Sequence, residues 1–285
     1  MSINYCIKEH ITITDTSKHG GLIKDLYTRM KALSENEGDG IFSIKVNDGA
    51  SNINIGYGEA LPTDLSQILE SANSLDIILD YEYYDDCSSD DEGTDNPVFG
   101  TLNFCEQLEG AYDDLFYVMY QDCECTRCDG ECLLLAYGEK DGKKYNGKIE
   151  FAETDALPDG VWNAISTAIT YDEDENDDAA QIRETAEKIY YCAHKYEPKE
   201  QVDKYLSDDI YLDRDGTLTF CLNDMELHNN QQLQELITLF KQLNEQATED
   251  LIFTFVVCDL ESDNPRIFKV EFNYDGSHKL LIKTL

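Results

Sequence analysis

From Val46 to Thr126 the chain has no lysine or arginine, and 19 of those 81 residues are Asp or Glu. Carboxylates in such a stretch find no basic partner nearby in sequence. A fold must leave them in water or bring cations to them from elsewhere. The imbalance runs through the 285 residues: 59 acidic side chains face 22 basic ones, a net charge of −37. Its distribution is uneven. Residues 1–50 and 251–285 each carry −1, while the blocks between them carry −12, −6, −9 and −8.

That charge excludes some partners. Phosphate binding needs Lys and Arg to displace counterions, so direct nucleic-acid binding is not expected. Attachment to an anionic membrane surface is excluded on the same ground. No apolar run has the ~18 residues of a membrane helix, and the N-terminus has no signal-peptide core, so a cytoplasmic setting is expected. Hydrophobic residues make up 41% and aromatic residues 11%, too many for an acidic disordered chain.

Apolar periodicity gives an α+β reading, with mostly antiparallel sheets covered by four or five helices. Ile3 to Ile13 reads as strand. Leu22, Leu26, Met30 and Leu33 share a helical face. Ile41–Val46 and Ile53–Tyr57 form a hairpin about Asp48-Gly49. Helices are also expected after Pro62, after Asp159 (with Val161, Trp162, Ile165 and Ile169), through Ile182–Ala193 and through Leu233–Leu243. The chain closes on three strand-like runs from Leu251 onward. A strand, then Ala-Leu-Pro, then a helix is expected at both 52–62 and 148–158, hinting at a duplicated strand-helix-strand unit. The acidic run after Tyr171 marks the expected boundary between an N-terminal domain, 1–172, and a C-terminal one, 173–285.

Ten cysteines occur, and four crowd together: Cys123, Cys125, Cys128 and Cys132. Four thiolates at this spacing can enclose zinc tetrahedrally, and Gly130 permits the tight turn. The C-x-C step departs from the paired C-x2-C pattern, so a reduced hairpin tip is the competing reading. No cofactor is expected beyond structural zinc at that cluster.

No nucleophile elbow, phosphate loop, dinucleotide fingerprint or H-E-x-x-H occurs. His10, His19, His194, His228 and His278 are isolated from one another. No catalytic residue is assigned, and an uncharacterised hydrolase, using an interior carboxylate or Cys, stands only as the second alternative.

Could the charge imitate nucleic acid? A folded monomer of 32.5 kDa exposes about 12,400 Å², so −37 spread evenly is about one charge per 330 Å². B-DNA, with one charge per ~1.7 Å of axis, carries about one per 110 Å². Concentration on about a third of the surface would match it. The expected role is therefore an acidic inhibitor or antagonist of a basic, nucleic-acid-handling protein. An anti-defence protein of phage type and an immunity protein for a nuclease toxin both fit. The candidate partner-binding residues are Asp85, Asp86, Asp90, Asp91, Glu92, Asp172, Glu173, Asp174 and Glu175, with Tyr81, Tyr83 and Tyr84 as aromatic anchors. The nearly neutral ends would allow homo-oligomeric blocking as a second mode. A structural zinc-binding interaction module is the alternative function.

Overall fold

The computed structural model describes residues 2–35, 40–86, 108, 114–124, 133–164, 168–172, 179–212, 217–222, 225–246, 253–259, 265–273 and 277–285. The fold is α+β, as the periodicity indicates, with five α-helices among the described residues. Every pairing whose register is resolved is antiparallel. No helix among them is long and apolar enough to cross a membrane.

The chain forms two compact units. The first comprises Met1–Cys123 and Glu131–Ile149, the second Glu124–Gly130 and Glu150–Leu285. The division thus precedes the boundary read at 172. The packing of residues 150–172 explains the difference. Trp162 is a core residue of the second unit, and Ala168–Asp172 is a strand paired with Thr217–Cys221. An acidic run in the sequence does not by itself mark a domain boundary.

In the first unit, strands β1 (Ser2–Ile13), β2 (Gly40–Val46), β3 (Ser51–Ile55), β4 (Leu75–Asp86), β5 (Leu115–Glu124), β6 (Leu133–Lys140) and β7 (Lys143–Lys148) form one sheet. Their order is β3-β2-β4-β1-β5-β6-β7. Helices α1 (Gly20–Glu35) and α2 (Leu65–Ser71) pack with one face of it in a single core. Alternation builds that face: Ile7, Ile11 and Ile13 of β1, Phe42, Ile44 and Val46 of β2, and Ile77 and Leu79 of β4 are all buried. Against them lie Leu22, Leu26, Met30 and Leu33, the stripe read from the sequence.

The same alternation buries a carboxylate. Glu9 falls between Ile7 and Ile11 and is 1% exposed. Arg29 of α1 donates to it through Nη2, and Tyr81 of β4 donates at 3.0 Å. The Tyr117 hydroxyl of β5 takes the other carboxylate oxygen. Burial alone would push the Arg29 guanidinium down. Glu9, with the two tyrosine oxygens, outweighs this and holds it above its ordinary value.

The second unit contains a six-stranded sheet ordered β13-β9-β14-β15-β16-β8 and a three-stranded one ordered β10-β12-β11. Its strands are β8 (Ala152–Glu153), β9 (Trp162–Ala164), β10 (Ala168–Asp172), β11 (Ile210–Leu212), β12 (Thr217–Cys221), β13 (Glu226–Leu227), β14 (Phe253–Asp259), β15 (Arg266–Phe272) and β16 (His278–Thr284). Its helices are α3 (Ala179–Ala193), α4 (Lys199–Asp209) and α5 (Asn230–Gln246). Gln232, fully buried on α5, donates to the Cys192 and Ala193 carbonyls that end α3 and to Glu226 O, and accepts from His228 N. One amide thereby satisfies two terminal helix carbonyls that would otherwise be orphaned.

The helix expected after Asp159 is instead strand. Gly160 has φ +133. The Arg266 guanidinium lies over the Trp162 ring at 4.1 Å and donates to the Asp159 carbonyl and the Asp259 carboxylate. Trp162 Nε1 donates to Pro158 O. These tertiary contacts fix an extended path. The two Ala-Leu-Pro segments accordingly diverge, one leading to α2 and the other to β9, so they do not mark a duplicated unit.

Replacing Arg29 by Met would strand the Glu9 charge in the core. A loss of about 3–5 kcal/mol is expected, as much as two buried aliphatic side chains contribute. Adding Glu9→Gln to that variant should restore part of it. Urea unfolding followed by far-ultraviolet circular dichroism measures both. Equal midpoints for the wild type and Arg29→Met would refute the account.

Candidate functional site

One end of the seven-stranded sheet gathers the ends of most of its strands. The β2–β3 turn, the start of β4, the end of β1, the start of β5 and the β6–β7 turn all meet there, as the registers and the Thr14 N to Asp114 O bond of 2.8 Å establish. The two hairpin turns at this end, 47–50 and 141–142, are short, and four side-chain-bearing residues here are left-handed. Asn47, Asp48, Asp114 and Asp141 have φ of 51, 54, 66 and 51. Asn and Asp tolerate this conformation better than other side-chain-bearing residues. The backbone thus selects Asp at three corners and leaves three carboxylates along one rim.

Hydrogen bonds hold the rim. Ser74 Oγ accepts from Asp48 N and donates to the Asp48 carboxylate, both at 3.1 Å. Asn47 Oδ1 accepts from Asn73 N at 2.7 Å. Thr16 N donates to Asn73 O, and its hydroxyl to Ala72 O. Asp15 accepts from the hydroxyl and the amide of Ser17. The Ser17 hydroxyl, with Lys18 contributing less, holds the Asp15 carboxyl below its ordinary range. Lys18 bridges Asp15 and Asp114, and the bond to Asp114 raises its ammonium above its ordinary value.

Between β1, β5 and the β6–β7 turn the rim opens into a cleft of about 550 Å³. Thr12, Thr14, Lys18, Asp114, Phe116, Glu139 and Asp141 are among the residues that line it. Across the outer face of β4, Asp76 bonds His10 at 2.5 Å and Lys45 at 3.4 Å, and Asp80 pairs with Lys8 at 3.5 Å. The hydrogen bond from His10 is the main cause that lowers the Asp76 carboxyl. The acids of the sheet face are thus paired with lysines, and at the rim Lys18 pairs with Asp15 and Asp114 and Lys144 with Glu139 at 4.0 Å, while Lys140 and Lys143 flank Asp141, so the five rim carboxylates exceed the lysines there by one.

None of the rim residues stands among those selected from the sequence. A usable signal existed: Asp48-Gly49 and Asp141-Gly142 are both Asp-Gly turn pairs between strands. Runs of consecutive acids are more conspicuous and point elsewhere. Tyr81 requires correction as an anchor. It is 2% exposed and its hydroxyl is committed to Glu9, because period-2 alternation turns it inward. Tyr83, Tyr84, Asp85 and Asp86 continue β4, opposite Tyr5, Asn4, Ile3 and Ser2. Asp172 ends β10 opposite Thr217. Asp90, Asp91, Glu92, Glu173, Asp174 and Glu175 lie outside the described residues. Cys123 belongs to β5, and Cys125, Cys128 and Cys132 also lie outside.

Elsewhere, exposed aromatic area comes from Tyr57, Tyr191, Tyr196 and Tyr205. Buried His194 bonds Glu197 at 2.5 Å and packs on Tyr190 at 4.4 Å. Burial pushes the Cys192 thiol up to about 12, which keeps it protonated and a poor nucleophile. Among the described residues no three His, Cys, Asp or Glu side chains converge as metal ligands.

Gly138 stands opposite Phe116 and next to Glu139, two residues that line the cleft. Its φ is +96, and a Cβ there would stand 2.0 Å from Leu115 O. Gly142, at φ +77, has open space around it. Gly142→Ala should cost about 1–2 kcal/mol for the left-handed backbone alone. Gly138→Ala adds a backbone collision and should cost clearly more. Denaturation midpoints that rank the two variants in the opposite order would contradict this. No family model, curated protein or solved structure matches the chain.

Proposed function

We propose that the chain is an acidic antagonist of a basic, nucleic-acid-handling protein, and that the rim is the surface it presents. The observation that carries this reading is the arrangement of Asp15, Asp48, Asp114, Glu139 and Asp141 along one sheet end, where Lys18 pairs with Asp15 and Asp114, Lys144 pairs with Glu139, and Asp48 and Asp141 occupy left-handed turn positions. Turn geometry and hydrogen bonds hold most of these carboxylates in place, so little ordering entropy is lost when a partner docks.

The rim is not a charge-for-charge copy of DNA. From β3 to β7 there are six strand spacings of about 4.8 Å, or ~29 Å. A duplex of that length carries about seventeen phosphate charges, against five carboxylates here, with Lys18, Lys140, Lys143 and Lys144 beside them. The rim suits occupation of part of a phosphate-binding groove, reinforced by fast electrostatic encounter and weakened by salt. A nuclease toxin and a component of a nucleic-acid-directed defence system both present such grooves.

The test uses the full chain as bait in host lysate, with duplex DNA as competitor. The triple variant Asp48→Asn, Asp114→Asn, Asp141→Asn removes three charges while Asn keeps the left-handed backbone. Capture of one basic protein, displaced by DNA and reduced at least tenfold by the triple variant, is expected. Capture that ignores both DNA and the substitutions would overturn the proposal.

A further inference from the structure

The two edges of the seven-stranded sheet are built differently. Edge strand β7 reads Lys-Lys-Tyr-Asn-Gly-Lys. Its three lysines guard it against pairing with another chain. The opposite edge, β3, reads Ser-Asn-Ile-Asn-Ile, with no charge and no proline. Ser51, Asn52 and Asn54 are exposed. On its inner side β3 pairs with β2 over five residues, from Val46↔Ser51 to Phe42↔Ile55. In the second unit the larger sheet ends on β13 and β8, of two residues each, which shortness protects. Among the described residues of the two larger sheets, β3 is the edge left open.

Carboxylates bracket that edge. Asp48 stands in the turn before it, fixed by Ser74. Glu59 stands after it, its carboxylate held by Gly56 N at 2.8 Å. Tyr57, 69% exposed, lies just past the strand. Five residues of strand span about 17 Å, so the bracket is matched to an extended segment of five to seven residues.

We propose that β3 is a docking edge for an extended basic segment of the partner, which adds to the sheet as an eighth strand. The inference rests on the reading that the partner is basic. Outward N–H and C=O groups of β3 would supply the pairing, and Asp48 and Glu59 would meet Lys or Arg at its two ends. Charge selects this occupant over a second copy of the chain. Two β3 strands paired antiparallel about Ile53 would bring Asp48 of each copy beside the 58–59 segment of the other, acid against acid.

The probe is the capped heptapeptide Val-Arg-Val-Arg-Val-Arg-Val, added at millimolar concentration to the full chain. The readout is amide hydrogen exchange at Ser51–Ile55. At least tenfold slowing at the outward amides is expected, lost when the peptide is N-methylated at its arginines or at its valines, and absent with Glu in place of Arg. No slowing, or equal slowing by the N-methylated peptides, would overturn the proposal. Slowing that appears without peptide and grows with protein concentration would overturn it in favour of self-pairing. Asp114 and Asp141, two of the three residues changed in the rim variant, lie away from β3, before β5 and in the β6–β7 turn. Failure here therefore leaves that reading standing, and failure there leaves a peptide-binding edge.

Discussion

A single buried carboxylate organises the first unit. Glu9 sits where an aliphatic residue would continue the core face of β1, and it is tolerated because three donors meet there. Arg29 from α1, Tyr81 from β4 and Tyr117 from β5 all converge on its two oxygens. The network therefore fixes α1 against the central strands and sets their relative register. Few buried charges are net stabilising against an apolar substitute. Their value is that only one arrangement of helix and sheet satisfies them.

The use of Arg29 inward has a consequence at the surface. Cations are scarce, 22 against 59 acids, and those on the first unit go to definite places. Lys8 and Lys45 compensate the face of β4, where His10 also bonds Asp76, and Lys143, Lys144 and Lys148 guard the β7 edge. The strand ends receive Lys18 beside β1 and β5, and Lys140, Lys143 and Lys144 about the β6–β7 turn. Left-handed turns there call for Asp or Asn on conformational grounds, so the geometry that closes the hairpins also creates the anionic rim. Charge and backbone conformation are satisfied by the same residues.

Much of the architecture was legible because it rests on local patterns. The apolar stripes of α1 and of α5, with Leu233, Leu236, Ile237, Phe240 and Leu243, are buried as their 3.6-residue spacing requires. The Asp48-Gly49 turn joins β2 to β3 as its residues demand. What escaped was set by distant partners. Trp162 is in a strand because Arg266, more than a hundred residues away, stacks on it. Tyr81 and Glu9 look like surface residues until alternation is carried across three strands. The rim needed the sheet order itself, since Asp15, Asp48, Asp114 and Asp141 meet only when β1 lies between β4 and β5. Long acidic runs were conspicuous in the sequence, yet single acids at strand ends form the candidate site.

The measurement that tests the rim most directly is carbodiimide footprinting of carboxylates, with and without the captured partner. Asp15, Asp48, Asp114 and Asp141 should lose labelling in the complex, while exposed acids such as Glu184 of α3 and Glu200 of α4 keep theirs. Protection confined to α3 or α4, with the rim labelled as in the free chain, would contradict the account.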